Sequence, residues 1–195
     1  MRTFSHPGYK RFLLSVGCLL SIHFTALFFL TLIRLVFFFS ANYDFPDQEH
    51  VGFMSIWPAF IRGVWFDNVI ACYILLIPLV AVSISALFNY YGKILWNVTC
   101  IFFSLFYGIV LLVTAANIPY FQYFFKIINS SVFNWFGYMN TTAGMVFGET
   151  SYYPPLIGFL LTLVLFIWLM RRLIRHFQRL LNTKNPSVFW LDRIY

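Results

Sequence analysis

Acidic side chains are scarce in this chain: Asp and Glu together number six in 195 residues against thirteen Lys and Arg, and charged residues of both signs reach only 10%. A soluble domain of ordinary composition carries roughly 25% charged residues, so a soluble fold is excluded. Cysteine is scarce as well. Cys18, Cys72 and Cys100 form an odd set, far apart and each inside an apolar stretch, which argues against a disulfide framework and reads as three small buried hydrophobes. The four histidines, His6, His23, His50 and His176, are too scattered to suggest a metal site, and no H-E-x-x-H, P-loop or G-x-S-x-G pattern occurs. The N-x-[ST] matches at Asn97, Asn129 and Asn140 are common by chance. There is no internal repeat and no low-complexity tract. The residues that a soluble catalytic domain would need are missing.

What the chain does contain is hydrophobic mass. Hydrophobic residues make up 61%, phenylalanine alone occurs 26 times, aromatics reach 23%, and the mean hydropathy is +0.79. Such a surface suits hydrocarbon, with aromatic rings at the headgroup levels. The formal charge of +7 would raise the question of nucleic acid in a soluble domain. Here the bases sit between apolar runs, so they report membrane orientation and contact with anionic lipid, and no nucleic-acid partner is expected. The expected fold class is all-α, a polytopic helical membrane bundle with about four transmembrane helices plus interfacial helices.

The first apolar run covers residues 12–39 and follows Arg2, Lys10 and Arg11. It is about twice the 7 to 15 residues of a signal-peptide core and no small-x-small cleavage site follows, so it is a retained span. At about 1.5 Å per residue it exceeds a roughly 30 Å hydrocarbon core and should tilt or project. Residues 41–62, with Asp44, Asp47, Glu49, Pro46 and Pro58, read as an acidic, partly irregular loop. The second span is expected at 64–88 with a kink at Pro78, and the short turn from Asn89 to Lys93 makes it an antiparallel hairpin with the third, at 94–116. The third span is expected to stop at Asn117-Ile118-Pro119. Residues 119–153 are rich in aromatics yet broken by Lys126, Asn129, Asn134, Asn140, Glu149 and several glycines, and hold no run of 18 apolar residues. They read as an interfacial or partly re-entrant segment. A fourth span is expected at 155–170. After it, residues 171–182 set Leu173, Phe177, Leu180 and Leu181 against Arg172, Arg175 and Arg179, the pattern of a basic amphipathic helix lying on an anionic leaflet.

Sorting the bases by loop gives an orientation. Arg2, Lys10 and Arg11, then Lys93, then Arg171, Arg172, Arg175, Arg179, Lys184 and Arg193 all fall on one side, whereas the other side has Arg62 and Lys126 and takes Asp44, Asp47, Glu49 and Glu149. The positive-inside rule makes the first side cytoplasmic, both termini included. Four residues then stand out as candidates for binding lipid. Arg34 lies inside the first span, where a charge marks either a functional site or a side chain snorkelling from an over-long helix. Asp67 is deep enough in the second span to need a partner, which Arg62 or Arg34 could supply, and the choice there is between a structural ion pair and a lipid-headgroup site. Glu149 is either a ligand or a solvated loop carboxylate, and the spacing of Gly144 and Gly148 lends it little because it lies outside an apolar span. Guanidinium forks suit phosphate oxygens, which places Arg34 and Arg62 best to meet a lipid phosphate.

Two stretches, Phe60-Ile61-Arg62-Gly63-Val64-Trp65-Phe66-Asp67-Asn68 and Asn117-Ile118-Pro119-Tyr120-Phe121-Gln122-Tyr123-Phe124, resemble the amino-terminal membrane region of bacterial lipoteichoic acid synthase-like proteins of the alkaline phosphatase and sulfatase superfamily. The likeness covers most of the chain, through short motifs. It implies a bacterial cell (inner) membrane protein in which five transmembrane helices anchor an extracellular α/β domain that transfers phosphoglycerol or a related group from a phospholipid. A catalytic threonine and a divalent metal, usually manganese, do that chemistry. No position here matches the threonine motif, so no catalytic residue and no cofactor is carried over. What the resemblance implies for residues 1–195 is a membrane anchor that presents the phospholipid substrate to its own carboxyl-terminal domain, expected beyond Tyr195 after one more span. The sequence departs from the family plan in having about four spans. The competing expectation is a small transporter or channel subunit, against which stands the lack of inverted repeats and of paired broken helices.

Overall fold

The computed structural model describes residues 7–43, 53–88, 92–124, 126–129, 144, 148 and 150–182. They are helical almost throughout and hold no strand. Four long helices account for them: α1 Pro7–Tyr43, α2 Phe53–Leu87, α3 Lys93–Phe124 and α4 Tyr153–Asn182, the last led in by a 3-10 turn, Thr150–Tyr152. Each contains a segment long and apolar enough to cross a membrane, at Gly8–Ser40, Phe60–Leu87, Lys93–Gln122 and Tyr153–Leu181. The chain is a membrane protein with an all-α four-helix bundle.

Helix is the only local answer for these runs, because hydrocarbon offers no partner to a backbone amide or carbonyl and the helix pairs both within the segment. Hydroxyls are absorbed in the same way. Ser15, Ser21, Thr25, Ser83, Ser104, Thr114 and Thr162 each donate to the carbonyl four residues back, at 2.7 to 2.9 Å. Prolines fall where the helix tolerates them or is held by its neighbours. Pro7 opens α1, and Pro154 and Pro155 lie in the first turn of α4, where amides have no intrahelical acceptor anyway.

The helices pack as two compact units. In the first, built from Met1–Leu27, Phe66–Tyr107 and Phe166–Tyr195, His23 of α1 meets Asn68 of α2. Phe177 of α4 lies 3.7 Å from where a Cβ on Gly17 of α1 would sit, and Tyr107 of α3 meets the Phe166 ring edge-on at 5.5 Å between centroids. The buried side chains recur at helical spacing: Leu14, Cys18, Leu19 and Ile22 on α1, Trp96, Phe103 and Tyr107 on α3, and Phe166, Met170, Ile174 and Leu181 on α4. In the second unit, Phe28–Trp65 and Gly108–Leu165, Phe37 packs edge-on to Phe121 at 5.4 Å. There too the Gln122 amide donates to Ser40 Oγ at 3.0 Å, and Leu163 closes on Gly108.

Three expected boundaries move. α3 does not stop at Asn117-Ile118-Pro119 but runs through Pro119 to Phe124. Proline takes one hydrogen bond from the helix, and the Phe121 and Gln122 contacts hold the extra turn. The fourth span and the basic segment 171–182 are one continuous helix, because the buried stripe of Phe166 and Met170 continues through Ile174 and Leu181. The bases Arg171, Arg172, Arg175 and Arg179 stay exposed on it, as the pattern implied. The loop expected over 41–62 is also shorter, since α2 begins at Phe53 and takes in residues 53–62, and the helix is unbroken through Pro58 and Pro78. Of the interfacial segment 119–153, residues 119–124 belong to α3, and most of the remainder lies outside the described residues, as do Asp44, Asp47 and Glu49.

Burial separates the phenylalanines into two classes with different energetic weight. Phe103 is fully buried whereas Phe66 is 70% exposed on the lipid-facing surface. Phe103→Ala is expected to cost about 3–5 kcal/mol, the usual range for emptying an aromatic site, and Phe66→Ala much less. Reversible unfolding in mixed micelles measures both, and equal losses would contradict the assigned packing.

Candidate lipid-headgroup site

Arg34 belongs to α1 some six residues before the end of its apolar span, and its side chain is half-buried. The guanidinium lies against α2 at Gly63. A Cβ built on Gly63 would come within 2.6 Å of the guanidinium carbon and 2.8 Å of Nε. Only a residue without a side chain leaves room for the head group there. The glycine is itself buried, and its neighbours Ile61 and Arg62 are exposed. The charged head is turned onto a neighbouring helix at a position that glycine makes possible.

The second unit also carries exposed aromatics, Trp57 and Trp65 on α2 and Tyr153 at the start of α4. Trp and Tyr concentrate at the membrane interface, where an amphipathic ring meets the headgroups, and Trp57 and Trp65 flank Arg62 and Gly63 in the sequence. Two polar links close the same unit. Asn117 of α3 donates through Nδ2 to the Val113 carbonyl at 3.1 Å, and its Oδ1 accepts the backbone amide of Ile128 at 2.9 Å. Asn117 thereby holds residues 126–129 to α3 just before Pro119.

The other expected residues are distributed differently. Asp67 is buried, at 7% exposure, and Arg62 is exposed. Glu149 lies outside the described residues. Among the described residues no group of three or more His, Cys, Asp or Glu gathers.

Two features escaped the sequence reading. Gly63 was visible only as part of a motif, because nothing in a sequence says which side chain will lie over a glycine. The other is the hydrogen bond of His23 to Asn68, at 3.1 Å, for which the signal was a histidine in the middle of an apolar run. Comparison of the chain with protein-family models, with curated proteins and with solved structures gives no match.

The seat has a simple test. Gly63→Ala is expected to leave the bundle folded, since only the mobile end of Arg34 must move and alanine is favoured over glycine in a helix by about 1 kcal/mol, but to expel the guanidinium. Solid-state NMR contacts between the labelled Arg34 guanidinium and the α2 backbone should be present in the native chain and absent in the variant. Contacts that persist unchanged would refute the seat.

Proposed function

We propose that this chain is the membrane anchor of an extracytoplasmic sulfatase-like phosphotransferase, and that it holds a phospholipid headgroup for that domain. The observation that carries the reading is the Arg34 guanidinium seated on Gly63, with Arg62 exposed beside it. A guanidinium presents a planar fork of N–H donors that matches phosphate oxygens, and an arginine kept inside a span is costly enough to imply a task. The resemblance of the segments around Arg62 and Asn117 supports the same reading. On it, the chain belongs to a bacterial cell membrane with its amino terminus in the cytoplasm. The metal, manganese or a similar divalent ion, and the catalytic threonine belong to the extracytoplasmic domain. Asp67 and Glu149 join the reading only as candidate neighbours of the headgroup.

A transporter or channel subunit is the second reading, and the His23–Asn68 pair within the apolar spans is the observation that favours it. The two readings make different demands on Arg34. In bilayers containing a photoactivatable phosphatidylglycerol, the purified chain is expected to be cross-linked at α1 and α2, and Arg34→Gln should lower the yield about tenfold, equivalent to losing a charge-assisted hydrogen bond of roughly 1.5 kcal/mol. Arg62→Ala should give a smaller loss. Unchanged yields in both variants, with the fold intact, would remove the lipid reading.

A further inference from the structure

Within the first unit, four side chains keep buried hydrogen-bonding atoms that the described residues do not satisfy, Arg11, His23, Trp96 and Tyr107, and two of them, His23 and Tyr107, lie near the middle of their spans, where lipid offers nothing. His23 lies near the middle of the apolar span of α1 and is 5% exposed. Its Nε2 is 3.1 Å from Asn68 Oδ1. With the amide oxygen as acceptor, Nε2 carries the ring proton and Nδ1 is a lone-pair acceptor. Nδ1 is buried and has no donor among the described residues. Tyr107 lies near the middle of the apolar span of α3 and is 1% exposed. Its ring stacks on Phe103 at 5.6 Å and meets Phe166 edge-on, while its hydroxyl is buried without a partner among the described residues.

α2 connects these two ends. Asn68 Oδ1 also lies 3.9 Å from Cys72 Sγ, one turn further along, and Cys72 is within electrostatic reach of Tyr107. The order His23, Asn68, Cys72, Tyr107 therefore runs across three helices, ending in an acceptor that needs a donor and a hydroxyl that can give and take. Serine and threonine in these spans solve the same problem by bonding to their own helix. Neither imidazole nor phenol can fold back in that way, since the polar atom sits at the far edge of a rigid ring.

We infer that His23 Nδ1 and the Tyr107 hydroxyl bind water inside the membrane, making this polar belt an internal hydration site for water or another small protic molecule. Each half of the belt supplies what a water needs: His23 Nδ1 accepts from it, and the Tyr107 hydroxyl donates to it or accepts from it. Buried water in proteins characteristically bridges otherwise unsatisfied polar groups through about three hydrogen bonds, and buried polar groups are rarely left without a partner. Cys72 is exposed at the edge of the belt, so the polar belt reaches the surface of α2. The inference is independent of the lipid reading, because none of its residues belongs to the Arg34 seat.

Water-edited solid-state NMR on the labelled chain in lipid bilayers tests it. Magnetisation from water should build up on the His23 ring and on Tyr107 nearly as fast as on exposed His176, while the methyls of Ile22 and Leu111, which are 0% and 1% exposed, stay slow. Tyr107→Phe should lower the transfer to His23 by about a half, one of the two anchoring atoms being gone. Build-up on His23 and Tyr107 as slow as on Ile22 and Leu111 would overturn the inference. So would a direct His23–Tyr107 cross-peak without water transfer. Should the phenylalanine variant fail to fold, the comparison within the native chain decides alone.

Discussion

The structure depends on one constraint: a polar group placed in hydrocarbon must find its partner within the protein. Satisfying the backbone makes each apolar run a helix. Satisfying hydroxyls along the same helix lets seven Ser and Thr side chains sit in or near the spans at little cost. What cannot be satisfied locally must be satisfied by another helix, and those groups fix how the helices meet. His23 and Asn68 join α1 to α2 in one unit, and Ser40 and Gln122 join α1 to α3 in the other. The apolar contacts supply area around these links, and the links supply register, since a shift of one residue would turn each polar partner towards lipid.

The same constraint explains why helix length was harder to read than helix identity. Hydropathy finds the segment that must be apolar, and each of the four spans contains such a run. It says nothing of turns beyond the hydrocarbon, where polar residues and proline are tolerated and packing decides. α1 has 37 residues, about 55 Å at 1.5 Å each, against a hydrocarbon core of roughly 30 Å. α3 likewise crosses Pro119 because Phe121 and Gln122 have partners on α1. α4 crosses the change from apolar to basic at Arg171 because its buried stripe keeps step. Composition changes there and packing does not.

The candidate site was legible in part for a related reason. Arg34 announced itself, since a charge in a span is a departure that any reading of the residues meets. Its seat did not, because Gly63 acts by what it lacks, and only the position of α1 against α2 shows that the missing Cβ is where a guanidinium lies. Asp67 is five residues from Arg62 in sequence, yet it is buried and Arg62 is exposed. Along a helix, nearness in sequence does not put two residues on the same face.

Two kinds of polar group in this bundle therefore have different physical roles. Arg34 presents a fork of N–H donors that suits a negative or strongly polar group, near one end of its apolar span. His23 and Tyr107 call for hydrogen-bond partners rather than a counter-charge, and sit where a fixed charge would be far more costly. The choice of residue follows depth: a guanidinium near the interface, an imidazole and a phenol near the middle. Exchanging them would put a permanent charge at the middle of the bilayer and weak neutral groups at the level of the phosphates. The lipid reading accordingly rests on the outer pair, Arg34 and Gly63, and the deep belt is a separate property of the same helices.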